Sequence, residues 1–396
     1  IEETRSCLVK GKIMIMRLDE VELTQKLVQT PSLSGSEGAV ADLVEDAMNE
    51  LAFRSVFRDA LGNVVGLVGP EAETTALLFD AHMDVVPPAG EWRTDPYGGE
   101  IIDGRLYGRG STDMKGALAA VICGVAAAAK SGRLVRQVAV SATVLEETLE
   151  CVALGAVVEN LRPAQVVICE PSNLTIKLGQ KGRAEILLTV KGIPAHAAFP
   201  ARGKSSILLA AKALDALEKT ELPEDPFMGK AVLVATDIIS DPYPSISLIP
   251  PRVAVRFDRR TLPGETEEII LNQILEALKS VDEHAFSLSV TRDTVRAYTG
   301  KVIEAPRLFE AWKMERDIPL VKAAQAGVIA AGLEPQFGFW AFCTNGSETA
   351  GKRKIPTIGL GPGIEDDAHI ADESISVEAL RQAKIAYEHL VLNLAT

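Results

Sequence analysis

Short stretches that are apolar on both faces, separated by helical patterns, constrain this chain more than any other feature. Residues 64–68, 76–79, 138–144 and 165–169 are nearly continuous runs of Val, Ala, Leu, Ile and Phe, each too short for a stable helix. Around and between them, residues 20–28 and 37–51 carry a helical pattern, and Asp113-Met114-Lys115-Gly116 opens a long Ala-rich helix. A strand without a polar face must be covered on both sides, so the sequence predicts an α/β sheet sandwiched by helices.

The pattern changes near Leu178. Residues 184–191 and 253–259 alternate as half-exposed strands, 205–217 and 265–278 read as amphipathic helices, and 286–291 as a further strand. This is a small α+β unit. The α/β pattern resumes near residue 315 and ends with a helix over 377–394, so the unit reads as an insertion. The expected domains are 16–178 with 299–396, and an inserted domain over 179–298. A chain of 396 residues exceeds one ordinary core, which agrees with two.

Composition excludes several classes. A net charge of −13 argues against nucleic-acid and anionic-membrane partners, which need a basic surface. Residues 117–129 form the longest small-apolar run, shorter than a membrane span and readable as a buried helix. Cys7, Cys123, Cys151, Cys169 and Cys343 are odd in number and lack Cys-x-x-Cys spacing, which predicts buried thiols and a reducing cytoplasm. The N-terminus has no apolar core of a signal peptide. Met14 or Met16 stands just before the first helix, so residues 1–15 are read as an extension outside the fold.

The polar residues with metal-binding chemistry sit at telling places. His82-Met83-Asp84 follows the run at 76–79, Glu146-Glu147 the run at 138–144, and Glu170 the run at 165–169. His369 lies in a loop after 357–360, and Asp113 just before the Ala-rich helix. Open α/β sheets place ligands beyond the carboxyl ends of their strands. Singly, each residue reads as an ordinary polar group at an element end; together they suit a site for divalent cations. Adjacent glutamates with diverging side chains allow one to bind metal while the other works on water.

The segments His82-Met83-Asp84-Val85-Val86-Pro87, Trp92, Asp95-Pro96 and Asp103-Gly104-Arg105-Leu106-Tyr107-Gly108-Arg109-Gly110 through Gly116 resemble the co-catalytic zinc metallopeptidases. That family includes acetylornithine deacetylase, succinyl-diaminopimelate desuccinylase, aminoacylases and glutamate carboxypeptidase. The resemblance implies a zinc-peptidase-like α/β catalytic domain with an inserted α+β lid that also dimerises. It implies two divalent metal ions, zinc by ligand type, with cobalt or manganese compatible. His82 and Glu170 would hold one ion, Glu147 and His369 the other, and Asp113 would bridge them. Asp84 would fix the His82 imidazole, and Glu146 would be the general base. His196, in Gly192-Ile193-Pro194-Ala195-His196, would reach the active site of the partner subunit and stabilise the oxyanion.

The expected reaction is hydrolysis of an N-acyl amino acid or dipeptide-like amide carrying a carboxylate. Strand alternation puts Arg256, Asp258 and Arg260 on one face, and Arg260 matches the arginine that relatives use on a substrate carboxylate. Asn345-Gly346-Ser347 and Gly361-Pro362-Gly363 match pocket loops. The chain departs from the desuccinylases at Ser245-Ile246-Ser247, at Gln180-Lys181-Gly182-Arg183, and at Glu365, four residues before His369. Fewer cations and an added acid disfavour a succinyl group, and Glu365 is expected to face a substrate amine or exclude a second acid. The wording around Cys343-Thr344-Asn345-Gly346 is closest to a poorly characterised bacterial branch. Hydrolysis of another C–N bond and a non-catalytic binding homologue are the alternatives.

Overall fold

The computed structural model describes residues 19–396 apart from Glu283. Cys7, Met14, Met16 and the extension expected over 1–15 lie outside the described residues.

The main sheet runs, in spatial order, Ser55–Arg58, Val64–Val68, Val138–Thr143, Leu77–His82, Val166–Ile168, Thr357–Gly359, Ile176–Gln180 and Trp312–Lys313, with Phe337–Trp340 also paired to Ile176–Gln180. Its four central strands, from Val138–Thr143 to Thr357–Gly359, are parallel. Their side chains alternate between two cores. Leu77, Phe79, Val138 and Val140 pack under the helices Glu20–Val28, Gly38–Glu50, Gly116–Lys130, Pro319–Ala330 and Val377–Leu394. Leu78 and Ala139 point the other way, onto Val152–Leu161. The expected two-sided α/β sheet is thus present, because these strands begin apolar on both faces and even their polar residues, Asp80, His82, Ser141 and Thr143 toward the carboxyl ends, are buried.

Among the described residues, Ser111–Lys130 alone is long and apolar enough to cross a membrane, and 83% of that stretch is buried inside the fold. It is a core helix, packed between Glu20–Val28 and Val377–Leu394.

The chain leaves the main sheet after Gln180 and enters a second sheet at Gly182. That antiparallel sheet runs Val232–Asp241, Arg252–Thr261, Gly182–Lys191, Phe286–Val290, with Leu308–Phe309 also paired to Gly182–Lys191. The helices Ser206–Glu218 and Glu267–Lys279 cover one face through Leu209, Ala213, Ile270 and Ile274. The chain returns to the main sheet at Trp312–Lys313, beside its point of exit. In the sheets the inserted α+β unit therefore spans 182–309. A hairpin of Arg292–Arg296 and Val302–Pro306 lies between Phe286–Val290 and Leu308–Phe309, and its tip packs on the loop ahead of Val64–Val68. There Tyr298 Oη donates to the carbonyl of Gly62, and Thr299 Oγ1 to that of Ala60.

Candidate metal centre

Each central parallel strand delivers one part of the site at its carboxyl end. His82 closes Leu77–His82, Glu146-Glu147 follow Val138–Thr143, Glu170 follows Val166–Ile168, and the loop after Thr357–Gly359 brings His369. Asp113 enters from the side, on the turn ahead of Gly116–Lys130, where a helix N-terminus favours an anion. Its Oδ1 lies 3.1 Å from His82 Nε2 and its Oδ2 3.2 Å from His369 Nε2. His369 Nε2 is also 3.1 Å from the Glu147 carboxylate. His82 Nε2 stands 3.7 Å from Glu170 Oε1 and 4.0 Å from Glu146 Oε2. All six groups predicted as ligands or base thus converge on one point. Ligand atoms of His82, Asp113 and Glu147, and of His82, Glu146 and Glu170, lie within 4.8 Å of one another.

The electrostatics of this cluster ask for cations. Four carboxylates face two imidazoles, so even with both rings charged the cluster stays anionic. Burial raises Glu146 and Glu170 well above the usual carboxylate range, helped by the charges of Glu170 and Asp113 respectively. Burial and the charge of Asp113 raise Glu147. Burial opposes ionisation of Asp113 as well, yet hydrogen bonds from His369 and His82 hold it below its ordinary range. Hydrogen bonds to Asp113 and Glu147 push His369 up to about 10. Two dications in place of these protons fit the donor set, which is imidazole and carboxylate with room left for water.

Asp84 is placed differently from expectation. The His82 Nδ1–H donates to the Asp84 backbone carbonyl at 2.9 Å, while the nearer Asp84 carboxylate oxygen is 3.6 Å away. That carboxylate instead accepts the backbone N–H groups of Glu146 and Glu147, both at 3.1 Å, and the Ser34 hydroxyl at 2.6 Å. Glu37 accepts the N–H of Leu145 at 3.1 Å. Three successive amides of the glutamate turn are therefore held by two buried carboxylates, and Leu145 keeps a left-handed φ of 62°. Burial and the neighbouring Asp84 push Glu37 up to about 7. Glu373 does the same for the other turn: it accepts the N–H groups of Thr112 at 2.9 Å and Asp113 at 3.0 Å and pairs with buried Arg109. Nothing in the spacing of Glu37 or Glu373 distinguishes them from surface acids, so neither role is legible in the sequence.

A cavity of about 440 Å³ opens beside the cluster, lined among others by Glu150, Arg183, Arg260, Phe342, Cys343 and Glu365. Arg260 does reach it, but its Nε is 2.7 Å from Asp258 Oδ1, so the guanidinium is already half engaged. Arg183, from a segment read as poor in anchors, joins it and shares Asp258 at 3.1 Å. Gln180 and Lys181 turn away, to Ser347 and to the carbonyl of Lys230. Asn345 does not line the cavity. It is buried beneath it, donating to Asp80 at 2.9 Å and accepting the N–H of Cys151 at 2.7 Å, so it props the site rather than touching a ligand. Gly361 is required there, because a Cβ would lie 2.2 Å from the Cys169 carbonyl and 2.3 Å from that of Glu170. Glu365 lines the cavity with one oxygen bound by Lys177.

His196 is not at this site. It stands exposed on the lid, its Nδ1 accepting from Ala198 N at 3.0 Å and its ring 5.9 Å from that of Phe199.

Comparison with known proteins agrees with this geometry. Residues 78–393 match the peptidase family M20/M25/M40. The uncharacterised protein YgeY of Escherichia coli K12 is 31% identical over 383 residues, 92% of each chain. The succinyl-diaminopimelate desuccinylase of Phenylobacterium zucineum is 27% identical over 96% of this chain and 99% of its own. The aminopeptidase PepT of Bacillus cereus shares the fold with a TM-score of 0.74 at 19% identity, covering 95% of this chain and 98% of that one. The family match spans most of the chain, including the whole cluster of imidazoles and carboxylates at the strand ends, and the chain belongs to peptidase family M20/M25/M40 as a metal-dependent hydrolase of amide bonds.

Proposed function

We propose that the chain hydrolyses the amide of a small N-acyl amino acid or dipeptide-like substrate bearing a carboxylate. The observation that carries this reading is the position of Glu146. It lines the cavity at the edge of the cluster, and its carboxylate is hydrogen-bonded to none of the described residues. A general base needs that placement, beside the ligands with its oxygens free.

His82, Asp113 and Glu170 would hold one divalent ion, and Asp113, Glu147 and His369 the other; zinc suits the set, with cobalt or manganese as substitutes. When bound, such a pair acidifies water and polarises a carbonyl. Glu146 takes a proton from the attacking water and delivers it to the leaving nitrogen as the C–N bond breaks. Asp84 keeps Glu146 and Glu147 aimed by holding their amides and orients His82 through its carbonyl. Arg260 takes the substrate carboxylate through its guanidinium face not used by Asp258.

The same reading makes the protein a homodimer in which His196 of a second copy stabilises the oxyanion. The exposed His196 and Phe199 lie beside the segment carrying exposed Tyr243 and Ile246, and the edge strand Val232–Asp241 exposes Val234, Ile238 and Ile239. Apolar surface of that kind is suited to burial against another chain. Four described cysteines are free and buried, in keeping with a cytoplasmic setting.

The test is metal content against activity. The protein is purified, stripped, and reloaded with zinc, cobalt or manganese while N-acyl amino acids and dipeptides are assayed. Two ions per chain with hydrolysis restored on reloading supports the reading; hydrolysis that survives stripping sinks it.

A further inference from the structure

The proposed carboxylate-bearing amide leaves open what the other half of the substrate carries, and the inference drawn here rests on that reading of the reaction. Outside the proposed ligands and base, the cavity is lined by two guanidinium groups and two carboxylates: Arg183, Arg260, Glu150 and Glu365. Both guanidinium groups come from lid strands and share Asp258. They make one end of the cavity suited to an anion. The two carboxylates differ in availability. Glu150 lies 3.4 Å from Arg183, and its second oxygen is enclosed without a partner. Glu365 is a third exposed, and only one of its oxygens is engaged.

The group that engages it is unusual. Lys177 lies on the main-sheet strand Ile176–Gln180, its side chain 9% exposed, and it spends its ammonium on Glu365 with the Phe339 carbonyl 3.5 Å away. Burying an ammonium is unfavourable unless it is paired. Here the pairing engages one carboxylate oxygen of a residue that lines the cavity and leaves its second oxygen without a partner among the described residues. Glu365 also opens the turn Glu365–Asp367, four residues before His369, and both residues line the same cavity.

We propose that Glu365, held by Lys177, reads a free ammonium group on the acyl half of the substrate. The substrates are then aminoacyl amides, zwitterionic and peptide-like, with the carboxylate toward Arg260 and Arg183 and the amine beside Glu365. An acyl group ending in a second acid meets Glu365 and Glu150 as like charges. A plain acyl group leaves the prepared oxygen unmatched.

Three leucine derivatives test this: alanyl-leucine, propanoyl-leucine, which lacks only the amine, and succinyl-leucine, which adds an acid. Wild type, Glu365→Gln and Lys177→Met are compared by kcat/KM. Binding of the same compounds to metal-loaded Glu146→Gln protein, alone and combined with Glu365→Gln, is measured by calorimetry. Wild type is expected to favour alanyl-leucine over propanoyl-leucine by roughly 10- to 100-fold, as a charged hydrogen bond allows. Glu365→Gln should bring that ratio toward one, chiefly through KM. The idea is overturned if the ratio is already near one, if succinyl-leucine is preferred, or if Glu365→Gln lowers all three equally. That last outcome means the ion pair only pins the His369 loop. Absence of turnover on all three would count against amide hydrolysis, yet the calorimetric ratio still decides the ammonium site. Should Lys177→Met fail to fold, the near-isosteric Glu365→Gln carries the test.

Discussion

At the scale of residues, the site divides into groups that were visible by type and groups visible only by contact. His82, Asp113, Glu146, Glu147, Glu170 and His369 stand at strand or helix ends, where a polar side chain after an apolar run is conspicuous. Glu146→Ala is expected to lower kcat by about 10²- to 10⁴-fold while bound metal, measured per chain, is unchanged. Glu37 was illegible because its meaning lies in a hydrogen bond to Leu145, over a hundred residues along the chain. Asn345 was legible as important but not in its role, since the loop pattern does not say which side of the loop faces the cavity. Glu37 has a measurable signature. Its folded pKa is about 7 against an ordinary 4.5, so the folded state holds the proton more tightly. Its contribution to stability is complete below pH 4.5 and is lost as pH rises through 7. Metal-free protein should therefore lose stability between pH 5 and pH 8, by an amount on the order of 3 kcal/mol at most from this group. Glu37→Gln should flatten that slope in thermal denaturation.

At the scale of elements, strands with two apolar faces and helices with one were legible, because burial dictates their composition. The strand Val232–Asp241 was not. It is an edge strand whose residues are mostly exposed, so no alternation marks it. That same exposure gives the homodimer reading its test. Ile238→Lys should shift the protein toward monomer in sedimentation and lower turnover with it, since His196 would no longer arrive from a second copy. A sharper version mixes subunits. His196→Ala and Glu146→Ala proteins, each nearly inactive alone, should regain part of the activity when unfolded together and refolded, because some mixed dimers hold one intact site. No recovery on mixing would place His196 outside catalysis.

For the whole molecule, the candidate metal centre stands where the ends of the central strands, the turn ahead of Gly116–Lys130 and the loop ahead of Val377–Leu394 meet, and it gathers more carboxylates than imidazoles. Ions that bind only the folded state stabilise it by about 1.4 kcal/mol for each tenfold excess over Kd. Chelation should therefore lower the melting temperature, and re-added zinc should restore it, as read by scanning calorimetry. A chelated protein that melts unchanged would mean that Glu146, Glu147 and Glu170 are accommodated by protons alone.

The junction between the two sheets has the form of a splice. The outgoing chain at Gly179 and Gln180 is paired residue for residue with the incoming chain at Lys313 and Trp312. Neighbouring antiparallel strands lie about 5 Å apart, so a short turn would close the gap if everything between were removed. All six groups of the cluster lie outside that interval. Cut and rejoined there, the chain would keep all six and lose Arg183, Arg260 and His196: the segment between is a detachable cassette that carries the groups proposed to meet the substrate's carboxylate and the oxyanion.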